Sequence, residues 1–255
     1  MENQCPKKYA FRGAEIPKTK SGFPFYIAGK AETGAQMQFL DPTKIVQKIP
    51  ADSRAVFLLR HAKRRHILPE DPEFGSFVPI TEEGLQDTLN GASKLPKAGC
   101  AKYFASPVLR CRETAAAIAR ARRDSEFASP EKVQVIEKLG CFFAKDMEAH
   151  QRILGSKFYQ TITEYLKNGS HPDFVPICDG ATAMLSLLER ESSAEWNFFV
   201  SHDAWIIPCL QHFFGMEFSP KRWLNFLSGM AVVFTKNKKP ELYPVTLMES
   251  GILNF

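Results

Sequence analysis

A three-layer α/β/α sandwich around a mostly parallel central sheet is the fold class this sequence predicts, and three observations predict it. Short apolar runs of strand length lack polar alternation, as strands covered on both faces do. Apolar residues at helical spacing fall between those runs, so strand and helix alternate along the chain. The runs then stop on polar residues, which suits a parallel sheet whose carboxyl ends face a ligand.

Residues 1–50 carry Pro6, Pro17, Pro24, Pro42 and Pro50 and no sustained apolar period, so they are read as a partly irregular N-terminal extension to an α/β domain over 51–255. Ala55–Arg60 is the first central strand. Thr81 is placed to cap a helix with Glu82 and Glu83 in its first turn and Leu85, Leu89, Ala92 and Leu95 on one face. Ala101–Ala105 forms the second strand, and Pro107 suits the first turn of a helix running through Arg110, Thr114, Ala115, Ile118 and Ala119. Val133–Ile136 reads as a strand, and Ile153, Leu154, Phe158, Ile162 and Leu166 space out as one helix ended by Asn168–Gly169. The stretch around 137–180 is read as a cap insertion over the site. A helix over Ala181–Arg190 leads to a strand at Trp196–Ser201, and the last strands are Ala231–Phe234 and Leu242–Thr246, where Pro244 favours an edge.

Composition sets the function classes. With 44% hydrophobic and 24% charged residues among 255, the chain is unlike a disordered or fibrous protein. Its net charge of +5 is spread out, the one dense cluster being Lys63-Arg64-Arg65, so a nucleic-acid partner is not expected. The first twenty residues hold no signal-peptide core, and no run approaches the roughly 18–20 apolar residues of a membrane span. A cytoplasmic location without a membrane partner is expected. Cys5, Cys100, Cys111, Cys141, Cys178 and Cys209 form no C-x-x-C pair and are read as reduced, mostly buried thiols. His66, His150, His171 and His212 lack ligand spacing, so neither a metal nor a cofactor is expected.

Three strand ends carry the chemistry: Arg60-His61, Ser106 with Arg110, and His202-Asp203. A phosphoryl group in flight spreads negative charge over its equatorial oxygens and needs fixed positive donors. Arginine holds two oxygens in one planar fork and keeps its charge. A neutral imidazole in line with the ester bond can act as nucleophile, and a carboxylic acid near the leaving oxygen would complete the set.

These residues resemble the histidine phosphatase superfamily, which also contains the cofactor-dependent phosphoglycerate mutases. Leu58-Leu-Arg-His-Ala62 is similar to its strand-end Arg-His-Gly signature, Ser106-Pro-Val-Leu-Arg-Cys-Arg-Glu-Thr-Ala115 to its Ser-Pro-x-x-Arg-x-x-x-Thr-Ala segment, and Val200-Ser-His-Asp203 to its second histidine motif. The resemblance implies a phosphoglycerate-mutase-like fold and a phosphomonoesterase that takes a small-molecule phosphate monoester through a phosphohistidine. It makes His61 the nucleophile, with Arg60, Arg110 and His202 holding the phosphate. Arg112, about 200° further round the helix, would face elsewhere. Arg60-His-Ala-Lys-Arg64 is similar to the Arg-His-Gly-x-Arg pattern of the acid phosphatase and phytase branch, which adds Arg64 to the cradle and makes Asp203 the proton donor. In the mutase-like branch a glutamate after the third strand has that role, and Glu137, Asp146 and Glu148 stand in that region. A helix cap is the alternative role for Asp203. Ala62 replaces the signature glycine, and its methyl group is expected to narrow the pocket. Pro69 stands later than the pattern's proline, and Lys63, Arg65 and His66 are read as a solvated loop. A mutase-type phosphotransferase and a non-catalytic phosphate-binding module are the alternative functions.

Overall fold

The computed structural model describes residues 38–255, apart from Ser156, together with the two-residue strand β1 (Tyr26–Ile27). Most of the expected N-terminal extension, with Cys5, lies outside the described residues. The chain continues through α1 (Pro42–Val46), β2 (Ser53–Arg60), α2 (Glu82–Ala92), β3 (Ala101–Ala105), α3 (Leu109–Arg122), β4 (Gln134–Val135), α4 (Met147–Ile153), α5 (Phe158–Asn168) and α6 (Ile177–Glu191). It ends with β5 (Trp196–Ser201), α7 (Asp203–Phe214), β6 (Arg222–Leu224), β7 (Ser228–Thr235), β8 (Glu241–Thr246) and β9 (Ile252–Asn254). No helix among the described residues is long and apolar enough to cross a membrane.

Seven strands form the main sheet in the order β1-β8-β7-β2-β5-β3-β4, and β6 pairs with β9 in a separate ribbon. The pairs β2–β5, β5–β3, β3–β4 and β1–β8 are parallel, whereas β7 runs antiparallel to both β2 and β8. Burial of β2 on both faces explains its unbroken apolar run. Val56 and Leu58 enter the core beneath α5, α6 and α7, while Ala55, Phe57 and Leu59 enter the core beneath α1, α2 and α3. Each large side chain so buried contributes roughly 1.5–3 kcal/mol. Stacked rings of Phe57, Phe198 and Tyr103, with centroids 5.4 and 5.3 Å apart, tie β2 to β5 and β5 to β3.

Several boundaries differ from the expectations, each for a local reason. The buried face of α2 is Gly84, Thr88, Gly91 and Ala92, with Leu85 and Leu89 only half-buried. Small residues win because α2 lies against main chain: a methyl group on Gly84 would sit 2.9 Å from the Lys63 nitrogen and closer still to its carbonyl oxygen. Thr81 caps α2 as expected, its hydroxyl accepting from Gly84 N at 3.0 Å. Pro107 precedes α3 rather than entering it. The single helix expected over 153–166 is two helices, broken at Leu154–Lys157 around Gly155. Asp146 opens the first of them by accepting from Ala149 N at 2.7 Å, a start signal that apolar spacing does not register. Gly169 closes the second with φ 71°, as the Asn-Gly pair implies. Pro244 lies one strand in from the sheet edge, where the neighbour β1 is two residues long. Cys111, Cys141 and Cys209 are buried free thiols, and Cys100 and Cys178 are exposed.

The contact between Gly84 and Lys63 braces the segment that leaves β2 for the site. Gly84→Ala should gain about 1 kcal/mol of helix propensity and lose about 1–3 kcal/mol to overpacking against immobile backbone. Urea unfolding should show a net loss of stability. An unchanged or higher midpoint would mean that α2 can slide away from the segment.

Candidate active site

Sheet register brings the three strand ends together. Arg60 pairs with Ser201 across β2 and β5, and Ala105 pairs with Val200 across β3 and β5. The next residues continue both ladders: His61 N–H donates to the Ser201 carbonyl and Ser106 N–H to the Val200 carbonyl, each at 3.0 Å. His61 and His202 therefore leave adjacent strands side by side, their ring centroids 5.5 Å apart. Arg110, in the first turn of α3, enters between them. Arg60, His61, Ser106, Arg110, His202 and Asp203 are all buried.

His61 is held in one tautomer. Its Nδ1–H donates to the Ala62 carbonyl at 2.8 Å, which leaves the lone pair on Nε2, where Arg110 Nε–H donates at 3.2 Å. His202 accepts from Arg110 Nη2 at Nδ1, 3.4 Å away, so its Nε2–H donates to Ser106 Oγ at 2.9 Å. Burial, followed by the Arg110 charge, holds both rings well below the ordinary histidine pKa. Both imidazoles are neutral at pH 7.

Ala62 corrects an expectation. Its methyl group belongs to the core beneath α2 and α3 and does not narrow the pocket. Its N–H donates to Thr114 Oγ1 at 2.9 Å, and that hydroxyl donates to the Arg110 carbonyl at 2.7 Å. The pair locks the residue after the histidine to the helix that carries Arg110.

Arg60 is fixed by the C-terminal part of the chain. One Nη donates to the Leu224 carbonyl, the other pairs with Asp203 Oδ2 at 2.9 Å, and the guanidinium lies 4.1 Å over the Phe226 ring. Asp203 is the first residue of α7; it also accepts from the Trp223 indole at 2.9 Å and from Ala204 N at 2.9 Å. Burial pushes this carboxyl up, but Arg60, Trp223 and the Ala204 amide together bring it below the ordinary aspartate value. That environment favours the carboxylate over the protonated acid. Helix capping does not describe it, since the N-cap of α7 is His202.

Arg64 turns toward the same place. Burial, then the nearby charge of Arg110, lowers its pKa to about 10, and Asp203, Arg60 and the Tyr159 phenol are also within its electrostatic reach. Among the described residues, the buried Nε atoms of Arg60 and Arg64 have no hydrogen-bond partner. Among those residues three guanidinium groups thus face one carboxylate, three positive charges against one negative, which leaves +2 uncompensated. Arg112 stands apart, near Glu131. Lys63 is paired with Glu83 at 2.6 Å and Arg65 with Asp71 at 2.6 Å, while His66 is exposed.

Some contributors carry no sequence signal. The Gly75 carbonyl accepts from Arg110 Nη1 at 2.8 Å, at the end of a turn in which Glu73, Phe74 and Gly75 all have positive φ. Trp223 and Leu224 come from the short ribbon strand β6. Glu137 opens a 3-10 turn, Glu137–Gly140, which walls the site: Ser201 Oγ donates to the Leu139 carbonyl at 2.8 Å, and Trp205 Nε1 to the Gly140 carbonyl at 2.8 Å. The Glu137 side chain is exposed, as are those of Asp146 and Glu148.

Comparison with known proteins follows this geometry. The family model described as histidine phosphatase superfamily (branch 1) matches residues 56–238. Among solved structures, the chain is similar to a phosphoglycerate mutase from Bacillus anthracis at 14% identity, covering 77% of this chain and 94% of that one, with a TM-score of 0.49. It is also similar to a phosphoserine phosphatase mutant from Entamoeba histolytica, solved with phosphoserine, at 18% identity over 76% of this chain and 98% of that one, TM-score 0.44. No curated protein sequence matches. The family match covers well over half of the chain and includes both strand-end histidines and the arginine-bearing helix, so the chain belongs to the histidine phosphatase superfamily.

Proposed function

We propose that this chain hydrolyses phosphate monoesters through a phosphohistidine on His61. The observation that carries the reading is the fixed Nε2 lone pair of His61 beside a guanidinium cluster with two uncompensated positive charges, which match a phosphate dianion. Nε2 attacks phosphorus as the ester P–O bond breaks, and the leaving oxygen takes a proton. Water then attacks the same phosphorus, giving a proton to the carboxylate left by the first step, as the P–N bond breaks; inorganic phosphate leaves and the neutral His61 ring is restored. Arg60, Arg64 and Arg110 would hold the equatorial oxygens, with the His202 ring beside them.

In this reading Asp203 is a positioning residue that fixes Arg60, and the proton comes from Glu137, an exposed residue that opens the 3-10 turn whose Leu139 carbonyl is bonded to Ser201. This reverses the assignment suggested by the His-Asp pair in the sequence. Its support is physical: a carboxylate bound to Arg60 and Trp223 gives up its ionised form at a cost.

His61→Ala should abolish turnover. Brief mixing of the intact protein with radiolabelled p-nitrophenyl phosphate should leave an acid-labile, base-stable phosphoenzyme. Ordinary activity in the variant would remove the mechanism.

The two carboxylates separate by leaving group, because an alkoxide needs a proton and p-nitrophenolate does not. Glu137→Gln should slow alkyl phosphates by roughly 10²- to 10⁴-fold and p-nitrophenyl phosphate far less. Asp203→Asn should slow both alike through the loosened Arg60. The opposite pattern would restore Asp203 as the donor.

The lowered pKa of His61 also fixes a sign. A nucleophile protonated below its usual value of 6.5 stays ready as the pH falls through that value. The rate of phosphoenzyme formation from p-nitrophenyl phosphate should accordingly stay level from about pH 7.5 to about pH 6. A fall centred near 6.5 would show that the ring is solvated and titrates normally.

A further inference from the structure

The surroundings of the phosphate cradle divide by polarity. Cations that could meet a second anionic group are already neutralised: Glu83 holds Lys63 and Asp71 takes Arg65 in a two-pronged pair, with contacts of 2.6 and 2.7 Å. The same Asp71 carboxylate accepts from Leu68 N at 2.7 Å, so that pair is built into the loop rather than waiting for an anion. What the loop leaves uncovered is apolar. Leu68, Phe74 and Phe77 are 43%, 50% and 60% exposed, although a single loop of a folded chain has little reason to present three large apolar side chains to water.

That loop is joined to the cradle. Gly75, adjacent to Phe74, accepts from Arg110, and Ser76, adjacent to Phe77, accepts from Leu109 N at 3.0 Å. Phe74 itself is held at φ 54°, a left-handed conformation that a bulky side chain adopts only under constraint. Near Arg64 stands Tyr159, 46% exposed, its ring 5.0 Å from that of Trp223 and its phenol within the field of that arginine. Phe226 lies 5.8 Å from the His61 ring.

We propose that the substrate is a monoester with a single phosphate and an apolar body, an alkyl or aryl group that lies against Leu68, Phe74 and Phe77 while its phosphate enters the cradle. This rests on the phosphatase reading and adds the substrate class to it. The two uncompensated charges match one phosphate dianion, and no free cation of the loop remains for a second. Sugar bisphosphates and polyphosphorylated polyols fall outside that class.

Alkylphosphonates, which cannot be hydrolysed, test the proposal on the full chain without relying on turnover. Calorimetric affinity should rise roughly twofold to fourfold per methylene from ethyl- to hexylphosphonate, the range for partial to full burial of each group. A second phosphonate at the far end of the hexyl chain should remove that gain. Phe77→Ser and Leu68→Ser should each make the chain-length series shallower, weakening hexylphosphonate several-fold more than ethylphosphonate. A flat series in the intact protein, or tighter binding of the bisphosphonate, would overturn the proposal even where ethyl phosphate is hydrolysed through His61. A rising series in a protein that hydrolyses no monoester would instead overturn the catalytic reading and leave the binding preference standing.

Discussion

Two buried guanidinium groups, Arg60 and Arg110, and a half-buried third, Arg64, share a single carboxylate, and the site is built around that imbalance. Charge taken out of water costs several kcal/mol per ion unless it is paired and hydrogen-bonded. Asp203 pairs with Arg60, and the carbonyls of Leu224, Gly75 and Arg65 take donors from Arg60, Arg110 and Arg64. The face of Phe226 lies over Arg60. Dipoles and a ring face screen positive charge without cancelling it, so the site stays cationic and stays folded.

Burial first, and then the same unbalanced charge, governs the histidines. An imidazole among guanidinium groups keeps its lone pair because a proton there would add a further cation to a buried cluster. A backbone carbonyl then chooses which nitrogen keeps the lone pair. The neutral rings, the fixed tautomer and the cationic pocket are consequences of one arrangement placed at the carboxyl ends of β2, β3 and β5.

Much of this was legible in the sequence, because buried parallel strands have a plain signature and their polar end residues stay adjacent in space once the strands pair. Arg60, His61, Arg110 and His202 meet for that reason. Arg64 joins them through a loop that the sequence did not describe. What could not be read depends on main chain or on distant pairing. The Gly75 carbonyl has no side chain to announce it, and Trp223 stands on a three-residue strand without periodicity. Ala62 looked like an intrusion into the pocket because sequence does not say which way a methyl group faces. The reading of Asp203 depended on its neighbour in sequence, His202, whereas its chemistry is set by Arg60 and Trp223 across the fold. In α2 the leucine spacing was a poorer guide than glycine, since close approach of backbones outweighs the burial of two half-exposed leucines.

The grip on Arg60 spans the fold, since the residue it binds at Leu224 lies 164 positions further along the chain. Loop-closure entropy makes such a contact late to form. A ribosome that has delivered β2, α2 and β3 has exposed Arg60, His61 and Arg64 before Leu224 exists to hold the first of them. The site is thereby left unassembled in the nascent chain until the ribbon strand emerges and closes it from the other end.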